Sequence, residues 1–538
     1  MGPKGRGSLL NTMQDVELRV PRILDHAARE HATRPIVTRW ADGRETRTDW
    51  SGIAHDARRL AQSLERLGMR PGDRIATLAM NHAHHLMAWY GAMGMGGIIH
   101  TLNPRLFEDQ LAFIIGHADD RVLLYDRAFQ PLVDRLRPRC PTIEHYVVMD
   151  GEGDGTLADL IAHQDGDYAW VDGGERDPCM LAYTSGTTGD PKGVLYTHRS
   201  SVIHALTVIT PAIFNLSSRG IVLPVVPMFH AAGWGLPLAV PIAGASFVFS
   251  AVNEPAVLCD LMNRERVTHS AGVPTVWLGM FAHIDAGNPP PAHLQLASIG
   301  GSAAPRAMIE RLMGMGMDVS HLWGMTETSP VGTAGQRPPE WDDMPRAAQL
   351  DRTEKQGQIP FGIELRIVDD AGVELPRDGT SAGRLQCRGP WVVRRYYRAE
   401  ADAIDAEGWF DTGDVAVLHP DGTMQITDRI KDVIKSGGEW ISSVDLENAA
   451  IGCPGVAEAA AIGIPHPHWD ERPLLLVVRK PGATVDGDAI RDHLATQVAK
   501  WWLPDAIVFV DDLPHTATGK LLKTELRRRF RDHVAVIP

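Results

Sequence analysis

A chain of 538 residues is too long to fold round one core and predicts about two to four domains. Its 44% hydrophobic and 22% charged residues are those of an ordinary globular protein, not of a disordered or fibrous chain. A net charge of −14 and a pI near 5.9 leave no basic excess to displace counterions, so nucleic acid is excluded as a general partner.

Along the chain, the basic start Met1–Ser8 is not followed by an apolar core of signal-peptide length. Asp73–Ala79 reads as a strand and His85–Met93 as the helix after it; His82, His84 and His85 between them have the spacing of a surface turn rather than of a metal site. Arg121–Tyr125, Gly220–Val226 and Ala245–Phe249 repeat the strand signal, and the alternation predicts an α/β fold with mostly parallel sheets. Gly233–Val252 carries no charge over about the length of a membrane span. Its prolines at 237 and 241 and its glycines would break a lipid-exposed helix, and its end reads as a buried strand, so no transmembrane segment is expected. The methionines at 313, 315 and 317 close a helical pattern and read as core.

After Gly362 the composition shifts to short strands such as Ile363–Val368 and Gly383–Cys387, split by polar turns, which predicts a barrel-like subdomain over 362–428. The expected division is therefore a large domain over 1–428 and a small α+β domain over 429–538 ending in the basic helix Lys520–Arg531. Five cysteines, scattered and without CxxC spacing, indicate neither a disulfide framework nor a zinc site and fit a reducing cytoplasm.

Seven segments carry chemistry. Tyr183-Thr-Ser-Gly-Thr-Thr-Gly-Asp-Pro-Lys-Gly193 is built to hold a polyphosphate: Gly186, Gly189 and Gly193 let amides turn inward, Thr184, Ser185, Thr187 and Thr188 add hydroxyls, and Lys192 adds charge. It is not a P-loop, because its glycines are spaced differently and Gly193 follows the lysine. Ser298-Ile-Gly-Gly-Ser-Ala-Ala-Pro305 is a turn of small residues that lets backbone approach a ligand. In Leu322-Trp-Gly-Met-Thr-Glu-Thr-Ser-Pro330, Glu327 offers a hard oxygen to magnesium, Thr326 a hydroxyl to phosphate or a helix cap, and Trp323 a face for a flat ring. Gly408–Asp414 places Asp414 at a strand end, where a carboxylate can accept two ribose hydroxyls, and Asp428 and Arg429 follow in a hinge-like segment. Lys435-Ser-Gly-Gly-Glu-Trp-Ile-Ser442 suits a narrow tunnel wall better than a triphosphate site, and Leu513–Lys520 ends in Thr-Gly-Lys. Pro227–Pro237, with His230 and Trp234, is apolar and has no side chain to hold a second charge, which disfavours amino acids and dicarboxylates.

In this order and spacing the segments resemble the signature motifs of the adenylate-forming superfamily, which includes acyl-CoA synthetases, luciferases and peptide-synthetase adenylation domains. Gly97-Ile-Ile-His-Thr-Leu-Asn-Pro104 is similar to its fatty-acyl members. The resemblance implies a large nucleotide-binding domain, a mobile C-terminal domain pivoting near Lys431, and ATP, magnesium and coenzyme A as cofactors and substrates. It implies catalytic roles for Thr184, Glu327 and Lys520, magnesium on Glu327, and Lys520 bridging carboxylate and α-phosphate. Nucleotide contacts are implied for the 184–189 loop, Lys192, Gly301, Ser302, Ala303, Trp323, Gly324, Met325, Thr326, Asp414 and Arg429; Lys435, Gly437 and Gly438 line the coenzyme A path. The acyl group falls to His230, Trp234, Gly300, Gly301 and Trp323.

The expected activity is that of an acid–thiol ligase acting on a short- to medium-chain fatty acid through an acyl-adenylate, in lipid metabolism. The chain also resembles 3-methylthiopropionate ligases, and aryl-propenoic acids are a third option. A luciferase-type oxygenase would emit light instead of requiring coenzyme A; a peptide-synthetase module would need a carrier domain after Lys520, where 18 residues remain; a non-catalytic nucleotide sensor should lose Glu327 or Lys520, and both are present. A cytoplasmic homodimer is expected.

Overall fold

The computed structural model of this chain describes residues 13–184, 191–436, 439–515 and 521–531. The apolar runs become strands buried on both faces, which is how parallel strands escape water. Eight strands, the polar and exposed edge strand Glu45–Asp49 among them, form one sheet in the spatial order Val331–Ala334, Asp318–Gly324, Leu296–Ile299, His269–Gly272, Ile221–Pro224, Ser246–Ser250, Pro35–Arg39 and Glu45–Asp49. The six inner strands are parallel and both edge strands antiparallel. A six-stranded sheet runs His145–Val148, Asp120–Tyr125, Arg74–Leu78, Ile98–Thr101, Pro178–Tyr183 and Gly193–Thr197, with only the last pair antiparallel. The chain is the α/β protein its sequence predicts.

Two helices show why these sheets pack together. Trp50–Arg66 begins where the Asp49 carboxylate accepts the Gly52 amide at 2.9 Å, and it buries Trp50, Ile53, Ala57, Leu60 and Leu64. Ala83–Gly94 is apolar all round and is therefore enclosed on nearly every side.

The histidines at its start are not in a surface turn, as their spacing implied. His82 and His85 are fully buried, because the helix they open is an internal one. The His82 ring accepts the His85 amide and meets Asp126 Oδ1 at 2.8 Å.

Downstream, Glu364–Val368, Ala382–Arg388, Phe410–Leu418 and Met424–Arg429 form an antiparallel four-stranded sheet. The C-terminal part has a sheet of its own, built on the hairpin Val456–His466 and Asp470–Arg479, with Ile434–Ser436, Glu439–Ile441 and Ala506–Phe509. Leu446, Ala461, Leu475, Ile490 and Leu494 form a separate small core beneath it. Met317 is buried and Met313 and Met315 pack against the core beside it. Among the described residues, no helix is long and apolar enough to cross a membrane.

Candidate active site

Strand Pro178–Tyr183 turns back as Gly193–Thr197, with Tyr183 and Gly193 paired across the two. The base of the intervening loop is closed by two bonds: the Thr184 amide donates to the Lys192 carbonyl at 2.9 Å, and the Lys192 amide to Thr184 Oγ1 at 3.2 Å. Ser185, Gly186, Thr187, Thr188 and Gly189 lie outside the described residues. The Lys192 ammonium sits 4.9 Å from the centre of the Tyr396 ring.

Tyr396 is the residue that joins this loop to the second motif. Strand Asp318–Gly324 ends in Met325 and one tight turn, Thr326–Thr328, which presents Glu327. Glu327 is only 6% exposed, and the Tyr396 hydroxyl donates to its Oε1 at 2.8 Å. The turn is fixed by the Val393 amide on the Glu327 carbonyl, 2.8 Å, and by the Tyr196 hydroxyl on the Thr326 carbonyl, 2.6 Å. Burial pushes the Glu327 carboxyl up, while the Tyr396 hydroxyl and the Arg429 and Lys192 charges pull the other way.

Segment 391–397 thus stitches both motifs together. It contacts Val331 through Trp391 Nε1 and Gly193 through the Tyr397 amide at 2.7 Å. Sequence reasoning missed Tyr396; the only signal was a pair of tyrosines in an otherwise arginine-rich turn, Arg394-Arg-Tyr-Tyr-Arg398.

Trp323, Asp414 and Arg429 come together as a second group. The Trp323 indole donates to Asp414 Oδ2 at 2.9 Å, and Arg429 Nε lies 3.3 Å from Asp414 Oδ1. Asp414 and Arg429 face each other in register across two strands. Asp414 is inside strand Phe410–Leu418 rather than at its end as expected, because Val415–Leu418 continue the apolar run and Val415, Ala416 and Val417 pair on both edges. Asp414 is 5% exposed, and its carboxylate faces the indole.

The small-residue turn follows strand Leu296–Ile299: Gly301 has φ +86°, and Ser302 and Ala303 lead into helix Arg306–Gly314. A Cβ on Gly300 would stand 3.0 Å from Trp234 Cη2, so the two segments expected to hold the acyl group touch there. Trp234 owes its position to an unusual backbone. Ala231, Ala232, Gly233, Trp234 and Gly235 have φ of 36°, 42°, 54°, 54° and 75°, a left-handed turn that costs about 1–2 kcal/mol for each residue other than glycine. Nothing in the sequence announces it beyond the two glycines. His204 supports it: a Cβ on Gly235 would run into the His204 imidazole, whose Nε2 accepts the Val331 amide at 3.1 Å. Burial pulls the His204 pKa down to about 3, so the ring is neutral. His230 precedes this turn.

Lys435 lies on Ile434–Ser436 of the C-terminal sheet, its amide donating to Glu471 at 3.0 Å; Gly437, Gly438 and Lys520 are outside the described residues. Burial pulls the Lys431 ammonium below its usual range. Past Lys431 a charge network missed in the sequence closes over the chain. Lys523 Nζ is 2.8 Å from Glu447 Oε1 and bonds to Ser443 Oγ at 2.5 Å, and the Ser443 amide donates to Asp428 Oδ2 at 2.6 Å. Burial works against the Lys523 ammonium, but Glu447 and Asp428 outweigh it and hold it charged.

A phosphate-type loop, a buried carboxylate and an indole beside a paired aspartate and arginine describe an enzyme that activates through a nucleotide. Residues 24–397 match the family model of the AMP-binding enzyme, and 445–520 that of the AMP-binding enzyme C-terminal domain. The chain belongs to this family. It is 44% identical over 535 residues to a 3-methylmercaptopropionyl-CoA ligase of Ruegeria pomeroyi, covering 97% of this chain and 99% of that one. It is 42% identical to a medium-chain-fatty-acid–CoA ligase of Ectopseudomonas oleovorans, covering 97% and 98%. Among solved structures, the anthranilate CoA ligase AuaEII in complex with anthranoyl-AMP superposes with a TM-score of 0.87 at 25% identity, covering 97% and 99%. ATP-bound MatB from Rhodopseudomonas palustris does so with 0.83 at 26%, covering 96% and 100%. Within the family the chain is an ATP-dependent acyl-CoA ligase, an acid–thiol ligase that forms AMP.

Proposed function

We propose that this ligase acts on a short- to medium-chain carboxylic acid, a fatty acid or 3-methylthiopropionate. The observation that carries the size limit is the contact of Trp234 with Gly300, a bulky indole against a wall of small residues. The second acid is favoured by the 44% identical 3-methylmercaptopropionyl-CoA ligase; aryl-propenoic acids remain the third reading.

A carboxylate is a poor acylating agent because its oxygen leaves badly and its charge repels a thiolate. In the first half-reaction its oxygen attacks the α-phosphorus of ATP, the bond to the bridging oxygen breaks, and pyrophosphate leaves. Thr184, its loop partners and Lys192 bind the phosphates; Lys520 offsets the charge that develops on the α-phosphate. Trp323, Gly301, Ser302, Ala303, Gly324 and Met325 seat the adenine, and Asp414 and Arg429 the ribose. Glu327 fits magnesium as a hard, buried oxygen donor whose other oxygen is held by Tyr396. Magnesium, when bound there with Thr326 nearby, supplies charge neutralisation at the phosphate oxygens.

In the second half-reaction the thiol of coenzyme A attacks the acyl carbonyl of the mixed anhydride, and AMP leaves with the electron pair of the broken bond. Lys435, Gly437 and Gly438 line its path. The domain over 429–538 turns on Lys431 between the two steps, so that Lys520 serves the first and Gly438 the second. The barrel-like subdomain 362–428 carries Asp414 and Tyr396 to the loop. The working protein is a cytoplasmic homodimer, a setting in keeping with five free, buried cysteines.

A panel of butyrate, hexanoate, octanoate, dodecanoate, 3-methylthiopropionate and cinnamate, scored by AMP release with ATP and coenzyme A, tests the substrate reading. The highest kcat/KM should fall on the first three or on 3-methylthiopropionate. A maximum at dodecanoate or cinnamate overturns it.

A further inference from the structure

Pro224, Val226 and Met228 follow one another along the exit of strand Ile221–Pro224, two residues before His230. On the edge turned away from strand His269–Gly272, a single side chain pairs the Pro224 and Val226 carbonyls and the Met228 amide. Asn81 Nδ2 donates to the Pro224 carbonyl at 3.0 Å and to the Val226 carbonyl at 2.9 Å. Its Oδ1 accepts the Met228 amide at 2.7 Å. Two carbonyls and one amide admit only this orientation of the carboxamide. At 4% exposure, the carboxamide and the three groups it pairs are shut off from bulk water. On the other edge, the Ala271 carbonyl accepts both the Val225 and Val226 amides at 2.9 Å.

Asn81 is itself rigidly placed. It sits in the turn between strand Arg74–Leu78 and helix Ala83–Gly94. Asp126 holds that turn from both sides, accepting the Met80 amide at 2.8 Å and pairing with His82 at 2.8 Å. His85 Nδ1 meets the Met80 carbonyl at 2.9 Å. The turn belongs to the six-stranded sheet, which carries Thr184 and Lys192; the segment it grips belongs to the eight-stranded sheet, which carries Gly300 and Trp323. Asn81 thereby ties segment 224–228 to the sheet that carries Thr184 and Lys192.

We infer that Asn81 is a positioning residue that sets acyl-chain selectivity, by holding the 224–228 segment from which the left-handed turn with Trp234 is launched. This rests on the reading of Trp234 as the wall of the acyl pocket. Without the carboxamide, three buried backbone groups lose their partner and the segment relaxes, taking the Trp234 turn with it. Asp in its place has the same shape but offers the two carbonyls an oxygen. Ser retains one donor.

The test uses the full chain with Asn81→Ala, Asn81→Asp and Asn81→Ser, each assayed with butyrate, octanoate and dodecanoate and by amide hydrogen exchange. KM for the acid should rise about tenfold, and the butyrate-to-dodecanoate ratio of kcat/KM should change at least about fivefold. KM for ATP should stay within about twofold of the parent. Exchange should quicken over 224–235 but not over 178–184. A uniform fall in kcat/KM for all three acids, a parallel rise in KM for ATP, or unchanged exchange over 224–235 would each overturn the inference. If the parent enzyme turns over none of the acids, the substrate reading fails, and exchange still decides whether Asn81 holds the segment. Should Asn81→Ala not fold, Asn81→Ser answers the same questions.

Discussion

The Tyr396 hydroxyl donates to Glu327 Oε1 at 2.8 Å from 69 residues further along the chain. This bond links the Thr326–Thr328 turn to the segment that also reaches Gly193, and it works against the burial that pushes the Glu327 carboxyl up. Tyr396→Phe removes a donor to the ionised form, so the Glu327 pKa rises further. The acid limb of kcat/KM for ATP in the presence of magnesium should move to higher pH, with the plateau less affected. A pH profile identical to the parent's would mean that this limb does not report Glu327.

Glu327→Gln separates function from stability. A carboxyl whose folded pKa lies above its unfolded one stabilises the fold below the unfolded pKa and loses that contribution as pH rises through the folded value. At pH 7.5 the ionised form therefore works against the fold, and the neutral amide should leave Tm unchanged or raise it. Activity should fall by about a hundredfold or more, since an amide is a poorer ligand for a hard cation. A loss of Tm together with activity would make Glu327 structural.

The motifs were legible because they pair unusual residue types at short range: hydroxyls with glycines before Lys192, an acid between threonines at Glu327. The parallel strands were legible from unbroken runs such as Val122–Tyr125. What joins the motifs was not. Tyr396, His204 and Asn81 act across 69, 127 and 143 residues of chain, and each looks ordinary in its own segment. The three histidines misled because spacing carries no depth; the largely apolar run Leu86–Gly94 that completes their helix was the better clue. Asp414 misled in a similar way, since a glycine before it reads as the end of a strand that in fact continues to Leu418.

Trp234→Ala should move chain-length preference toward longer acids. Each extra buried methylene contributes about 0.8 kcal/mol, or about fourfold in kcat/KM, so dodecanoate gains on butyrate by more than one such step. Gly300→Ala should act in the opposite sense, its methyl meeting the indole at 3.0 Å. Competition among butyrate, octanoate and dodecanoate reads both. An unchanged ranking in both variants removes Trp234 from the pocket wall.

Lys523→Met should destabilise the C-terminal part by about 3 kcal/mol, because Glu447 and Asp428 are left buried without their cation. The deficit should grow with pH. Burial already lifts the Glu447 pKa to about 6 against the pull of Lys523, and losing the lysine raises it further, so ionisation at pH 8 costs the variant more than at pH 5.5. Thermal unfolding at the two pH values checks this; a deficit that shrinks as pH rises would contradict it.

If a carboxylic acid is activated as its adenylate before coenzyme A is needed, labelled pyrophosphate exchanges into ATP without coenzyme A. Exchange should depend on added butyrate, octanoate or 3-methylthiopropionate, with thioester and AMP appearing only once coenzyme A is supplied. Absence of acid-dependent exchange, or release of ADP in place of AMP, would contradict it.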